Sequence, residues 1–148
     1  MPSTHAWIHL HVVFSTKGRL PLIGHEWRGR LHSFLGEALR RSGVLPLAIG
    51  GVEDHVHLLF ALRPNQRIAD IVRDIKAHSS HWIRETLGVS SFGWQDGYGV
   101  FTVSPEHDQV LRKYIEDQEA HHRQRPYQAE YVALLKQHAI GHDSNRLW

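Results

Sequence analysis

The sequence predicts an α+β fold with the element order β-α-β-β-α-β, followed by extra C-terminal helices. Short segments in which alternate residues are apolar indicate strands that bury one face. Two longer segments repeat apolar residues at helical spacing, and a glycine ends each of them. This order is typical of ferredoxin-like or RRM-like folds, in which helices cover one face of an antiparallel sheet and the other face is free. In that topology the first and third strands lie side by side at the centre.

The first half of the chain supplies three strands and one helix. Residues 7–15 predict the first strand, because they alternate between apolar and mostly polar positions. After a basic turn that contains glycine and proline, residues 26–42 form the first predicted helix, which Gly43 ends. The next apolar runs, residues 44–49 and 56–62, are separated by a Gly-Gly-Val-Glu-Asp segment and predict a hairpin.

The second half supplies the remaining strand and the other helices. Residues 68–87 predict the second helix, and residues 100–103 predict a short strand. A Ser-Pro-Glu sequence then begins a third helix, which we expect to run to about residue 122, since serine caps helices and proline favours their first turn. A final helix is predicted over about residues 128–138.

Length and composition limit the possible functions. With 148 residues and no long linker, we expect one domain, with a core of about residues 1–125 and a helical extension over about residues 126–148. The net charge of +2 is mild, although the pI of 9.2 leaves a nucleic-acid partner open. The chain has no cysteine, which excludes disulfides, iron–sulfur clusters and thiol catalysis. Any metal site must use oxygen ligands and the 14 histidines.

No segment of the sequence predicts a targeting signal or a membrane span. The N-terminal segment lacks a basic leader, and no apolar run reaches the length that a transmembrane helix needs. We therefore expect a cytoplasmic protein.

A His-x-His sequence follows an acidic residue in the third predicted strand. His55 and His57 point to the same side of that strand, so two imidazoles side by side could begin a metal site. The alternative is a pair of ordinary surface histidines. His9 and His11 in the first strand have the same spacing, and both pairs could line one face of the sheet. Spacing alone does not decide between them.

The third predicted helix carries a tyrosine and a glutamine that are four positions apart. Tyr114 and Gln118 would share a face of this helix. The glutamine offers an amide oxygen that suits Mg²⁺ or Mn²⁺, and the tyrosine offers a phenol beside it. The alternative interpretation is an aromatic residue at the edge of the core and a solvated glutamine.

Taken together, these motifs resemble the IS200/IS605-type single-tyrosine transposases. These enzymes belong to the HUH group, which is named for two histidines that flank a bulky hydrophobic residue. The resemblance extends from the first strand to the end of the third helix. It rests on His11-Val12-Val13-Phe14-Ser15-Thr16-Lys17, His55-Val56-His57-Leu58-Leu59, Lys76, the segment from Trp94 to Ser104, and Tyr114-Ile115-x-x-Gln118.

The resemblance implies an activity and a role for each matching residue. His55, His57 and Gln118 would bind a divalent metal, Mg²⁺ or Mn²⁺, and Tyr114 would be the nucleophile. The enzyme would cleave and rejoin single-stranded DNA with hairpin ends through a 5′-phosphotyrosine. In this family the site is composite, which implies a homodimer in which Tyr114 faces the histidines of the partner. The pair at His9 and His11 lies outside the family's metal motif.

Basic residues near these motifs are candidate phosphate contacts, although each one alone would also suit a solvated surface. They are Lys17, Arg19, Arg73, Lys76, Arg112 and Lys113.

The sequence has features of two other functional classes. A histidine-triad nucleotide hydrolase would need a third alternating histidine, where this chain has Leu59. A domesticated or relict protein that binds DNA hairpins without mobilising them is the stronger alternative. An intact nucleophile and an intact metal pair argue against it.

Overall fold

The computed structural model describes residues 3–119 and 126–141. Four strands form one antiparallel sheet in the order β2-β3-β1-β4. The strands are β1 (His9–Ser15), β2 (Leu45–Gly51), β3 (His55–Ala61) and β4 (Gly99–Val103). The helices are α1 (Arg28–Arg41), α2 (Ile68–Glu85), α3 (Pro105–Glu116) and α4 (Tyr127–Gln137). The predicted fold class is therefore confirmed, including β1 and β3 at the centre of the sheet.

One face of the sheet packs on α1 and α2 and forms the main core. Alternate residues of β1 and β3 point to this side, as the apolar alternation predicts. They pack against the apolar stripes of the two helices, which are amphipathic. The fully buried members of this cluster include Val12, Phe14, Val56, Leu58, Phe60, Leu31, Leu35 and Leu39.

The other face of the sheet is covered by α3 and α4, whereas the predicted topology leaves it free. Val13 and Phe101 of the sheet pack with Tyr127 and Tyr131 of α4. Leu59 packs with Ile115 of α3 in a separate cluster. The cover has a physical reason, because this face carries large apolar side chains that would otherwise be exposed to water. The C-terminal extension therefore packs on the body of the protein.

Helix α3 is interrupted at Asp117, and residues 118 and 119 are helical again. Its last residue before the interruption is Glu116, and Asp117 leaves the helical conformation while its N–H still bonds to the carbonyl of Lys113. Gln118 therefore lies just beyond the interruption of the helix that carries Tyr114. The predicted continuation past residue 119 lies outside the described residues. Among the described helices, none is long and apolar enough to cross a membrane.

Candidate active site

Strand β3 places the two histidines of the His-x-His sequence on the face that α3 and α4 cover. Both side chains are fully buried. The Nε2 atom of His55 lies 3.1 Å from Oε1 of Gln118. The Nε2 atom of His57 lies 2.6 Å from Oε1 of Glu130. Both Nε2 atoms thus face oxygen atoms that are contributed from beyond the sheet.

The opposite ring nitrogens of these histidines are held by other side chains. Nδ1 of His55 lies 2.7 Å from Oδ1 of Asp54. Nδ1 of His57 lies 2.8 Å from Nε2 of His11. An Nδ1–H bond to a neighbouring acceptor leaves the lone pair of Nε2 available, which is how histidine ligands of metals are usually oriented. The surroundings of both histidines therefore suit metal binding through Nε2.

The first-strand histidines that share the His-x-His spacing have different surroundings. His11 is buried and contacts His57, whereas His9 points to the start of α3. Nδ1 of His9 lies 2.6 Å from Oδ1 of Asp108, and its ring stacks on Trp7. His9 therefore anchors α3 to β1, and only His11 reaches the candidate site.

Glu130 on α4 is a site residue that the sequence analysis missed. Its carboxylate is almost completely buried, and one ligand atom each from His55, His57 and Glu130 lie within 4.8 Å of one another. One signal in the sequence could have identified it. Glu130 lies three positions after Tyr127 and four before Leu134, so an acidic residue occupies the apolar face of this helix. Such a charge is costly to bury unless a partner meets it.

The phenol of Tyr114 lies next to this cluster and donates a hydrogen bond to Oε2 of Glu130. Tyr114 is half-buried and lines a cavity between β4, α3 and α4. Tyr127 and Tyr131 are buried in the core, and burial raises the pKa of both phenols. Of these three tyrosines, Tyr114 combines contact with the cluster and access from a cavity.

The charge balance of the cluster favours a cation. Burial alone would lower the pKa of His55, but hydrogen bonds to Asp54 and Glu130 raise it to about 9. Burial and the neighbouring His57 lower the pKa of His11 well below 6.5, so His11 is neutral. Two imidazole nitrogens, an amide oxygen and a carboxylate oxygen suit a divalent ion such as Mg²⁺ or Mn²⁺. The donor set is thus consistent with a metal centre of the HUH type.

All four residues predicted for catalysis and metal binding therefore meet within one chain, and Glu130 joins them. Gln118 links His55 to the backbone of Tyr114. Its side-chain oxygen faces His55, and its amide nitrogen lies 3.4 Å from the carbonyl of Tyr114. The chemical roles of these residues stay predictions.

The predicted DNA-contacting residues divide into separate groups. Lys17, Arg73 and Lys76 line one open groove beside α2 and Trp94. Lys76 also donates to the backbone oxygens of Gln95 and Gly97 at 2.6 and 2.9 Å, so it orders the loop that follows α2. Burial lowers the pKa of its ammonium group, although Asp96 opposes this effect.

The other predicted contacts lie away from that groove. Arg112 forms an ion pair of 2.8 Å with Asp108. Lys113 is exposed on α3, and the guanidinium of Arg19 lies against the side-chain amide of Gln128. Their contact with DNA stays a prediction.

Comparison with known proteins places these features in a family. Residues 4–118 match a family model described as "Transposase IS200 like". The chain is 27% identical over 118 residues to the ISDra2 transposase TnpA of Deinococcus radiodurans. This alignment covers 75% of this chain and 84% of that protein.

Two solved structures have a similar fold. A candidate transposase from Deinococcus radiodurans R1 aligns with a TM-score of 0.62 and 24% identity, over 80% of this chain and 96% of that one. A REP-associated tyrosine transposase bound to a REP hairpin aligns with a TM-score of 0.57 and 14% identity, over 78% of this chain and 70% of that one. Since the family model spans most of the sequence, this chain belongs to the family of IS200-like transposases.

Proposed function

We propose that this protein is a metal-dependent transposase that cleaves and rejoins single-stranded DNA through a 5′-phosphotyrosine. The observation that carries the proposal is the position of Tyr114, whose phenol is joined through Glu130 to the His55 and His57 pair. A phenol beside a buried metal-ligand cluster provides both a nucleophile and a place for the phosphate charge. Family membership supports the same reaction.

The metal would be held by Nε2 of His55 and His57 together with the oxygens of Gln118 and Glu130. A bound divalent ion would polarise a non-bridging phosphate oxygen and offset the charge that develops during attack. The residues around it orient this donor set, since Asp54 and His11 fix the two imidazole rings.

The proposed substrate is single-stranded DNA with hairpin ends. The structural neighbour bound to a REP hairpin supports this class of substrate. The groove formed by Lys17, Arg73 and Lys76 supplies positive charge on the opposite side of the sheet from Tyr114. Strand cleavage would leave a free 3′-hydroxyl group and keep the energy of the phosphodiester in the link to tyrosine. The strand could then be joined to a new end without ATP.

The proposal is tested by trapping the covalent intermediate. Labelled single-stranded DNA from the flanks of the gene, incubated with the protein and Mg²⁺ or Mn²⁺, should give a protein–DNA adduct that survives denaturation. The Tyr114→Phe variant should give none, while Tyr98→Phe serves as the matched control and should form the adduct normally. Adduct formation that persists in Tyr114→Phe would refute the assignment of Tyr114 as the nucleophile.

The same assay distinguishes the proposed transposase from a relict protein that only binds hairpin DNA. If the wild-type protein binds hairpin DNA but gives no adduct with either metal, the relict hairpin-binding protein becomes the better description. His57→Ala should lose cleavage and keep hairpin binding. Loss of both properties in His57→Ala would indicate misfolding rather than a metal role.

A further inference from the structure

We propose that Glu130 is a further catalytic residue, which accepts the phenolic proton of Tyr114 as the phenol attacks the DNA. This inference rests on the proposed function. It adds a residue from the C-terminal helix α4, which lies beyond the segment that matches the family model.

The carboxylate of Glu130 is placed between the nucleophile and the histidines. Its Oε2 atom accepts the hydrogen bond from the Tyr114 phenol. Its Oε1 atom lies 2.6 Å from Nε2 of His57 and 3.5 Å from Nε2 of His55. Each oxygen thus has a separate neighbour, and the carboxylate can bond to the phenol without leaving the histidines.

The position of this carboxylate is fixed by the packing of α4. Tyr127 and Tyr131, on the same face of the helix as Glu130, pack on Val13 and Phe101 of the sheet. The Glu130 side chain is 2% exposed, so it has little freedom to turn toward solvent. A proton acceptor must lie within hydrogen-bond distance of the proton that it removes, and Glu130 already meets this requirement.

The chemistry of the proposed step requires such an acceptor. An ordinary phenol has a pKa of about 10 and is a weak nucleophile while it keeps its proton. In the proposed step, the Tyr114 oxygen forms a bond to phosphorus and its proton passes to Oε2 of Glu130. The bond from phosphorus to the 3′ oxygen breaks, and that oxygen leaves with the electron pair and takes a proton from water. In the rejoining step Glu130 returns a proton to the tyrosine oxygen.

The test compares Glu130→Gln with wild type in the adduct assay at saturating Mn²⁺. The amide has nearly the same shape but accepts a proton poorly, so the rate of adduct formation should fall by about 10²–10⁴-fold. Glu116→Gln, which removes an exposed carboxylate of α3, is the matched control and should react at the wild-type rate. Binding of Mn²⁺, followed by electron paramagnetic resonance, sets the saturating concentration for each protein. Circular dichroism and hairpin binding report whether the variant is folded.

A second variant separates proton transfer from a purely structural role. A fluorinated tyrosine at position 114 loses its proton more easily and needs less help from a base. In the Glu130→Gln background it should recover the rate by about tenfold or more, whereas a displaced α4 would not be repaired by a more acidic phenol.

The outcomes are distinguishable. An adduct rate in Glu130→Gln that equals or exceeds the wild-type rate would overturn the catalytic role, and an increased rate would mean that the carboxylate blocks the phenol. Lack of rescue by fluorotyrosine would assign Glu130 to structure or metal binding alone. If wild type itself forms no adduct, the proposed function fails, and this inference fails with it.

Discussion

His11 and Asp54 act on the candidate metal site without facing its centre. Each lies behind one histidine of β3, on the Nδ1 side of the ring. Because burial keeps His11 neutral, its Nε2 lone pair can accept the proton of His57 Nδ1. That bond fixes which nitrogen of His57 is available to a metal. His11 therefore acts on the candidate metal site by orienting the ring of His57.

Replacing His11 by Phe should weaken metal binding while leaving both histidines of the pair in place. The variant removes the acceptor for Nδ1 of His57, and loss of such a partner typically costs about 10–100-fold in metal affinity. A Mn²⁺ titration followed by electron paramagnetic resonance measures the effect. His5→Phe, at an exposed position before β1, is the control. Equal Mn²⁺ affinity in wild type and His11→Phe would contradict this orienting role.

His32 on α1 predicts how stability depends on pH. Burial, together with the positive charge of Arg28, lowers its pKa from 6.5 to about 4, although Glu119 opposes the shift. Between these values the unfolded chain binds a proton that the folded chain does not. The contribution of His32 to the free energy of unfolding is therefore complete above pH 6.5 and declines as the pH falls toward 4. The slope is at most about 1.4 kcal/mol per pH unit.

The measurement for His32 is urea unfolding at several pH values between 7 and 4. His32→Asn should show a smaller loss of unfolding free energy on acidification than wild type. His25→Asn is the control, because the His25 side chain is 82% exposed. Identical pH slopes in wild type and His32→Asn would show that His32 does not contribute.

Among the elements, α3 has the most demanding position, because it must hold Tyr114 against a residue of α4. Two contacts fix it to the sheet. Asp108 near its start pairs with His9 and Arg112, and the backbone of Ile115 near its end lies directly over Gly50 of β2. A β-carbon at Gly50 would overlap the carbonyl oxygen of Ile115. The absence of a side chain at Gly50 of β2 thus allows the close approach of α3.

Gly50→Ala should therefore displace α3 and lower both stability and adduct formation. Overpacking of this kind typically costs about 1–3 kcal/mol of unfolding free energy. Gly29→Ala on α1 is a matched control, since no atom lies within 4 Å of the added methyl group. Alanine should instead stabilise that helix by up to about 1 kcal/mol. Thermal unfolding and the adduct assay provide the two readouts, and a Gly50→Ala protein that matches wild type in both would contradict the argument.

The element order could be predicted because alternation and helical spacing are local properties of the sequence, and the pairing of β1 with β3 was expected from the topology that this order is typical of. The candidate site was only partly predictable, since it depends on contacts between distant segments. The resemblance to the single-tyrosine transposases rests on short motifs that contain His55, His57, Tyr114 and Gln118. Glu130 belongs to a helix outside those motifs, and its proximity to Tyr114 follows from how α4 packs on the sheet.

For the whole molecule, the central question is whether one chain or two build each active site. The resemblance implies a homodimer with composite sites. In the structure, however, the phenol of Tyr114 meets Glu130 and the histidine pair of its own chain. Helix α4 makes this possible, because it closes the face of the sheet that would otherwise be open to a partner. We therefore expect the chain to act with its own tyrosine.

Mixing two inactive variants tests this expectation. Tyr114→Phe lacks the nucleophile and His57→Ala lacks a metal ligand, so neither should form an adduct alone. If each chain uses its own tyrosine, the mixture stays inactive, even where light scattering shows dimers. If the sites are composite, mixed dimers pair the intact tyrosine of one chain with the intact histidines of the other. Labelled DNA would then appear on the His57→Ala chain, identified by a size tag, and that result would contradict a site built within one chain.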